Sequence, residues 1–316
     1  MIKIIAVNIL LGSALDFLIG DPYNFPHPVR LMGKIISFEE RIGRRLAKTR
    51  GQLKLVGFIM AITNIIIGFF IPYLILKIIR PHRVLYNMVE VYFIYTCIAA
   101  RSLDVEATKV YKAFDFGLDE ARVKLSYIVG RETHNLSETE VIKGAVETVS
   151  ENTSDGVIAP LLYIFLFGAS GGFAYKFINT MDSMVGYMND KYIHMGYFPA
   201  KIDDIANYVP ARLTGLLMIL TSYGRFDISR GFRTMLRDRK KHKSPNSAYP
   251  ESAVAGLLGI ELGGGNYYGG IYVDKPTIGD SKNSPTKVHI RNAIEIMYKS
   301  EMFFLILSTA ILLVLF

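Results

Sequence analysis

At 316 residues the chain is long enough for one large domain or two small ones, but 51% hydrophobic residues and a mean hydropathy of +0.28 exclude an ordinary soluble globule. The formal charge of +8, from 36 basic and 28 acidic residues, gathers in loops beside apolar runs, which argues for membrane topology and against a nucleic-acid partner. A single cysteine, Cys97, inside an apolar stretch rules out a disulfide framework or a cysteine-based zinc site within one chain.

Ile4 to Ile19 is apolar apart from Asp16. The Pro-rich stretch Gly20 to Arg30 follows without a small-residue cleavage site, so the reading is an uncleaved first helix and an ordered loop. Residues 31–50 are amphipathic and end in Arg41, Arg44, Arg45, Lys48 and Arg50, which the positive-inside rule places in the cytoplasm. No charge occurs between Lys54 and Lys77, an uncharged run long enough to cross a bilayer despite Gly57, Gly68 and Pro72. A basic turn at Arg80-Pro81-His82-Arg83 leads into a second run, Val84 to Ala100, interrupted only by Glu90, and the two form a hairpin.

From Arg101 to Asp155 the chain is charged and carries helical spacing through Leu103, Ala107, Val110 and Phe114, then through Leu118, Ala121, Leu125 and Ile128. Ser137 with Glu140 forms a capping-box signature that opens the next helix. Within that helix Glu147, Glu151 and Asp155 fall at i, i+4 and i+8, three carboxylates along one side over roughly 12 Å, flanked by Asn152 and Ser154. Like charges at this spacing repel, so a cation is expected to meet them, and hydrated Mg²⁺ carrying a nucleotide fits. The competing reading is a solvated helix end paired with nearby Lys or Arg, for which Arg131 is placed.

Gly156 to Tyr175 is again uncharged, with Pro160 near its start and Gly168, Gly171 and Gly172 near its end, which suggests a re-entrant or protein-buried segment. Lys176, Asn179 and Ser183 then share a helix face with Asp182 at its edge. Asp203 or Asp204 pairs with Asn207 at i+4 or i+3, and Arg212 follows. Carboxylates and amides beside apolar runs are costly and therefore mark a functional site by default. After the apolar piece Leu213 to Tyr223, residues 225–243 carry eight basic side chains against Asp227 and Asp238, a cytoplasmic signature with no Walker-type phosphate loop. Residues 243–270 read as loop, and Met302–Phe316 as a final apolar helix.

The polar motifs taken in order resemble the adenosylcobinamide-phosphate synthase family of cobalamin biosynthesis, the CobD/CbiB family. They are Gly20-Asp21-Pro22, Pro26-His27-Pro28-Val29, Glu147-Thr148, Glu151-Asn152, Asp155-Gly156, Ala159-Pro160 and Tyr175-Lys176, continuing through Asn179 to Gly186, Asp203-Asp204 with Asn207, and Pro210-Ala211-Arg212. The set closes with Arg237-Asp238, Ser244-Pro245-Asn246-Ser247, Glu251 and Leu262-Gly263-Gly264, so it spans nearly the whole chain. One departure is Arg131-Glu132-Thr133, where the family pattern has Arg-Asp-Thr.

The resemblance implies an integral membrane ligase that uses ATP and Mg²⁺ to join the amine of aminopropanol, or its O-phosphate, to a carboxyl of adenosylcobyric acid. It places Glu147, Glu151, Asp155 and Asp182 around Mg²⁺, with Lys176, Arg131 and Arg212 on phosphate or carboxylate. His27 is a candidate acceptor of the amine's proton. Asn152, Asn179, Ser183, Asp203, Asp204 and Asn207 are candidate substrate contacts. Rival readings are weaker. A CDP-alcohol phosphotransferase requires arginine where Pro160 stands, a prenyltransferase diphosphate motif is met only in part by Asn179 and Asp182, and a transporter would concentrate its charges in the spans. The expected architecture is therefore all-α, a multi-pass domain over 1–316 in the cell membrane, open to homo-oligomer formation. Four full spans are expected at 1–19, 55–79, 84–100 and 302–316, with a catalytic region at 101–301 on the cytoplasmic face.

Overall fold

The computed structural model describes residues 2–22 and 27–315; Tyr23 to Pro26, which hold part of the Pro-rich loop, and the two terminal residues lie outside them. In chain order the helices are α1 (Ile2–Ile19), α2 (Pro28–Leu46), α3 (Arg50–Ile79), α4 (Arg83–Cys97), α5 (Ala100–Ala113), α6 (Leu118–Ser126), α7 (Glu138–Thr153), α8 (Ala159–Val185), α9 (Tyr197–Ala206), α10 (Tyr208–Leu220), α11 (Ile228–Asp238) and α12 (Ala248–Leu258). Four three-residue strands follow, β1 (Glu261–Gly263), β2 (Asn266–Tyr268), β3 (Ile271–Val273) and β4 (Thr277–Gly279), before α13 (Val288–Leu315). The chain is a helical membrane protein. Arg50–Ile79, Glu138–Val185 and Val288–Val314 are long and apolar enough to cross a bilayer, and Ile4–Ile19 and Tyr208–Leu220 are shorter apolar helices.

Two of the expected spans change length. α4 has 15 residues, fewer than the roughly 20 a crossing needs, and α13 begins fourteen positions ahead of Met302. Residues 288–301 extend α13 as an amphipathic stretch, with buried Ile290, Ala293, Ile294 and Met297 at helical spacing. Residues 243–270, read as loop, contain α12 and strands β1 and β2. α12 is buried at every position from Pro250 to Leu258, so it shows no one-sided pattern, and three-residue strands are too short for alternation to register.

The contacts divide the chain into two compact units, where the sequence suggested one domain. The first comprises residues 1–99, 159–207 and 308–316. In it α3 packs on α8 and α9, α1 on α4, and α2 on α8. Two polar ties join these helices: Asn8 Nδ2 donates to Glu90 Oε2 at 2.6 Å between α1 and α4, and Asn64 Nδ2 to Glu39 Oε2 at 2.5 Å between α3 and α2. Glu90, the interruption in the second apolar run, is therefore a helix–helix tie.

Although residues 138–185 qualify as one long apolar helix by length and composition, α8 is two arms. Gly168 takes φ 68° and ψ −168°, a backbone region essentially closed to other residues. The chain folds back there. Tyr163 and Tyr175 stack with ring centroids 5.0 Å apart, whereas twelve residues of straight helix would separate them by about 18 Å. A Cβ on Gly171 would come within 2.5 Å of the Tyr163 carbonyl oxygen, so the two arms touch through glycine. Gly168→Ala is expected to lower stability by about 1–3 kcal/mol, read as a fall in thermal midpoint in detergent. An unchanged midpoint would mean that the turn relaxes without cost.

The second unit comprises residues 100–158 and 208–307. α7 opens with the expected capping box, Ser137 and Glu140 bonding reciprocally, and packs on α5, α6, α12 and β1. α12 lies against α10 and α11, and β4 pairs antiparallel with β1, Leu262 opposite Ile278. Buried Asp238 joins these layers, accepting from Arg237 Nη2 at 2.7 Å, the Gly279 N–H at 2.8 Å and Lys241 at 2.9 Å. Burial opposes its charge, but these three donors outweigh it and hold the carboxyl down at about 2.

Candidate active site

The second unit encloses a polar cavity of about 230 Å³ between α7, the start of α12 and the strand segment. Its floor is α7. Glu147 and Glu151, one turn apart, both line it, together with Thr148 and Asn152. Glu147 is fixed twice: Arg131 ion-pairs with one carboxylate oxygen, and the Gly263 N–H donates to the other at 2.6 Å. Glu151 Oε1 accepts from Ser247 Oγ at 2.7 Å. Gly263 and Gly264, both at positive φ, bring backbone to the cavity wall, and a Cβ on Gly263 would lie 2.6 Å from the Pro276 carbonyl oxygen.

Asp155 falls in a π-helical turn, Ser154–Ile158, that follows α7. It does not line the cavity, while Glu251, from the first turn of α12, does. Buried Glu251 has its carboxyl pushed well above the usual range by burial, then by the charges of Glu151 and Glu147. Burial also lowers His242, which lines the same wall, so neither His242 nor Glu251 favours its charged form. Lys275, whose Nζ donates to Tyr268 Oη at 2.7 Å, completes the polar lining with Asn266.

Thus Arg131, Glu147, Glu151 and Asn152 meet as anticipated, with Arg131 partnering Glu147. Glu251 was quoted as a motif without a role, and His242, Asn266, Tyr268 and Lys275 were not anticipated. Asn266 and Tyr268 stand within the glycine-rich stretch 263–270, which turns explain equally well, and His242 and Lys275 lie outside it. Glu132 does not enter the cavity lining; it accepts from the Gly270 N–H at 2.5 Å and donates its own N–H to the Tyr267 carbonyl, bracing the β2–β3 hairpin. Arg212 is held elsewhere, its guanidinium carbon 3.4 Å from the Tyr208 ring centroid and 4.3 Å from that of Tyr249, donating to Asn246 Oδ1 at 3.3 Å.

The remaining candidates belong to the first unit. Asp203 is buried; its Oδ2 accepts from Asn207 Nδ2 at 3.0 Å, and Asn207 Oδ1 in turn accepts from Tyr175 Oη at 2.7 Å. Burial first, then the nearby Asp182, pushes Asp203 up to about 7, against the hydrogen bonds from Asn207 and Asn179. Such a carboxyl exchanges its proton near neutral pH. Asp204 pairs with Lys201 at 3.2 Å, and Ser183 Oγ donates to the Asn179 carbonyl at 2.9 Å. Lys176, one turn before Thr180 on the second arm of α8, accepts the Thr180 hydroxyl through its carbonyl oxygen at 2.6 Å. His27 caps α2, Nδ1 accepting from the Val29 N–H at 3.3 Å, with Nε2 3.1 Å from Asp21. Nδ1 is engaged as the cap, which gives His27 a loop-ordering role in this structure, while buried Nε2 makes no hydrogen bond among the described residues.

Because the folded Asp203 binds its proton more tightly than its usual value of 3.8, the stability it contributes is complete below about pH 4 and is lost as pH rises through about 7. Asp203→Asn is therefore expected to raise the thermal midpoint at pH 8, by a stabilisation on the order of a few kcal/mol, and to leave it unchanged at pH 4. Equal midpoints at pH 8 would show the carboxyl to be solvated.

Among the described residues no three Asp, Glu, His or Cys side chains converge at metal-ligand spacing. The cavity nonetheless fits a Mg²⁺–phosphate group by its donor chemistry: the carboxylate oxygens of Glu147 and Glu151 stand one turn apart on its floor, with Arg131 and Lys275 lining the same cavity. Mg²⁺ takes one or two carboxylates and completes its shell with phosphate and water.

The family model described as CobD/Cbib protein matches residues 9–297. The chain is 50% identical over 297 residues to the Cobalamin biosynthesis protein CobD of Clostridium tetani, covering 93% of this chain and 94% of that one. It is 48% identical to the protein of the same name from Clostridium acetobutylicum, over 97% and 98% of the two chains. It is 44% identical to the Cobalamin biosynthesis protein CbiB of Salmonella typhi, over 90% of each. No solved structure matches the chain.

Proposed function

The chain belongs to the CobD/CbiB family of cobalamin biosynthesis, and from that premise we propose that it is an ATP-dependent amide ligase. The substrates are adenosylcobyric acid, through one propionate carboxyl, and aminopropanol or its O-phosphate. The observation that carries this reading is the cavity of the second unit, where Glu147, Glu151 and Glu251 face Arg131 and Lys275 beside the Gly263–Gly264 backbone.

A carboxylate becomes an acyl donor only when its oxygen is made a leaving group, so nucleotide phosphates and a carboxylate must be held together and neutralised. Mg²⁺ would supply charge neutralisation of the phosphates, held by Glu147 and Glu151. Arg131 holds Glu147 aimed. Lys275 presents its ammonium to an oxyanion, and Glu251, protonated, donates a hydrogen bond where a second carboxylate would repel. Asn152 and Asn266 offer amide donors. Lys176, Asn179, Asp182, Ser183, Asp203, Asp204 and Asn207 are candidate substrate contacts of the first unit, taken by itself. ATP requires the reacting face to be cytoplasmic and the membrane to be the cell membrane, with the helical hairpin of α8 entering and leaving on one side.

The test is nucleotide hydrolysis by the purified protein. Turnover that requires both the corrinoid acid and the amino alcohol, with ADP as product, is expected. Hydrolysis independent of either substrate would overturn the ligase reading, and AMP would replace acyl phosphate by acyl adenylate.

A further inference from the structure

α2 presents three faces about 100° apart around its axis. One, through Met32, Ile36 and Gly43, is buried in the first unit. The second is an apolar stripe at helical spacing, Leu31, Ile35, Phe38, Ile42 and Leu46, exposed at every position except the half-buried Ile35. The third is basic: Arg30, Lys34, Arg41, Arg45 and Lys48, with Ser37 among them, all exposed.

The acids of α2 do not neutralise that stripe. Glu39 is turned to Asn64, and Glu40 is paired with Arg44 at 2.9 Å and lies 3.7 Å from Lys191. Among the described residues none of the five basic side chains of the stripe is ion-paired, and Arg41 rests only above the Phe38 ring, 5.8 Å from its centroid. Arg30, Lys34, Ser37 and Arg41 instead line a shallow groove of about 520 Å³ whose wall includes Phe38. A soluble helix would not set exposed Leu, Ile and Phe beside unpaired cations. The boundary between acyl chains and anionic headgroups accommodates both.

We propose that α2 lies in the headgroup layer of an anionic leaflet, the stripe from Leu31 to Leu46 at the acyl boundary and the Arg30–Lys34–Ser37–Arg41 groove on a phospholipid phosphate. α2 connects α1 to α3, two apolar helices, and its five unpaired cations bar it from the bilayer interior, so it runs along the surface. The occupant is the lipid headgroup because the cations form a row alongside the apolar stripe and do not converge in an enclosed pocket.

The chain contains no tryptophan, so Phe38→Trp, at an exposed position, reports alone. The full-length variant is reconstituted in vesicles of phosphatidylcholine and phosphatidylglycerol, one or the other brominated in its acyl chains. Quenching by both is expected, with brominated phosphatidylglycerol effective at a mole fraction lower by about fivefold for each cation engaged, since each cation near such a surface contributes about 1 kcal/mol. Adding Arg30→Gln, Lys34→Gln and Arg41→Gln should bring that preference to about one while the thermal midpoint in detergent is kept. Should the triple variant fail to reconstitute, Lys34→Gln alone, expected to reduce the preference about fivefold, serves the same test. Unquenched emission in the parent would mean that a second copy or a protein partner covers the stripe, or that it faces water. Equal quenching by the two lipids, or a preference that survives the glutamines, would remove the phosphate site. Each of these results overturns the proposal.

Discussion

Glu151→Gln is expected to abolish ligation, by a factor of about 100 or more in turnover, while leaving the protein as stable as before or more so. The glutamine carbonyl can still accept the Ser247 hydroxyl, which Glu151 Oε1 now accepts at 2.7 Å. What changes is charge. Glu251 is kept protonated first by burial and then by Glu151, so removing the Glu151 charge relieves the cavity. A residue retained for stability would show the opposite sign. Loss of turnover at saturating Mg²⁺ with an unchanged or raised thermal midpoint would place Glu151 in the chemistry, and wild-type turnover would refute its metal role. Solvated helix-face substitutions, for comparison, stay within about 0.5 kcal/mol.

The second large effect is on folding. Arg131 and Glu147 form an ion pair whose side chains are 11% and 9% exposed, and Glu147 has no other cation recorded against it, its second oxygen being held by the Gly263 N–H. Arg131→Met would leave a carboxylate in the cavity beside Glu151 and Glu251. Removing one partner of a buried pair costs about 3–5 kcal/mol, because the remaining charge is uncompensated. The expected result is a fall of that size in unfolding free energy, with Arg131→Met/Glu147→Leu recovering most of it. A single-variant loss below about 1 kcal/mol would mean that water reaches the pair and that Arg131 is free to serve as a phosphate ligand.

The sequence by itself determined the class and the family. The uncharged run between Lys54 and Lys77 is a span by length alone, the capping box at Ser137 fixes where α7 starts, and the ordered polar motifs identify the CobD/CbiB family. Glu147 and Glu151 were legible as neighbours because i and i+4 share a face of any α-helix. Pro160 and the glycines at 168–172 marked a break in the third apolar run, and a positive φ at Gly168 is what lets the chain reverse there.

What only the tertiary structure decided depends on contacts between residues distant in the chain, or on departures from regular helical geometry. Periodicity assumes a constant turn, so it could not anticipate the π-helical residues 154–158, and Asp155 among them does not line the cavity. Arg131 had two readings, partner of the acidic face or phosphate ligand, and its ion pair with Glu147 is visible only in the folded chain. Glu251 stands 100 residues beyond Glu151 on a helix buried all round, so neither spacing nor polarity linked the two. The cavity joins them because α12 and the short strands fold onto α7, a packing driven by apolar burial that leaves no local pattern in the sequence.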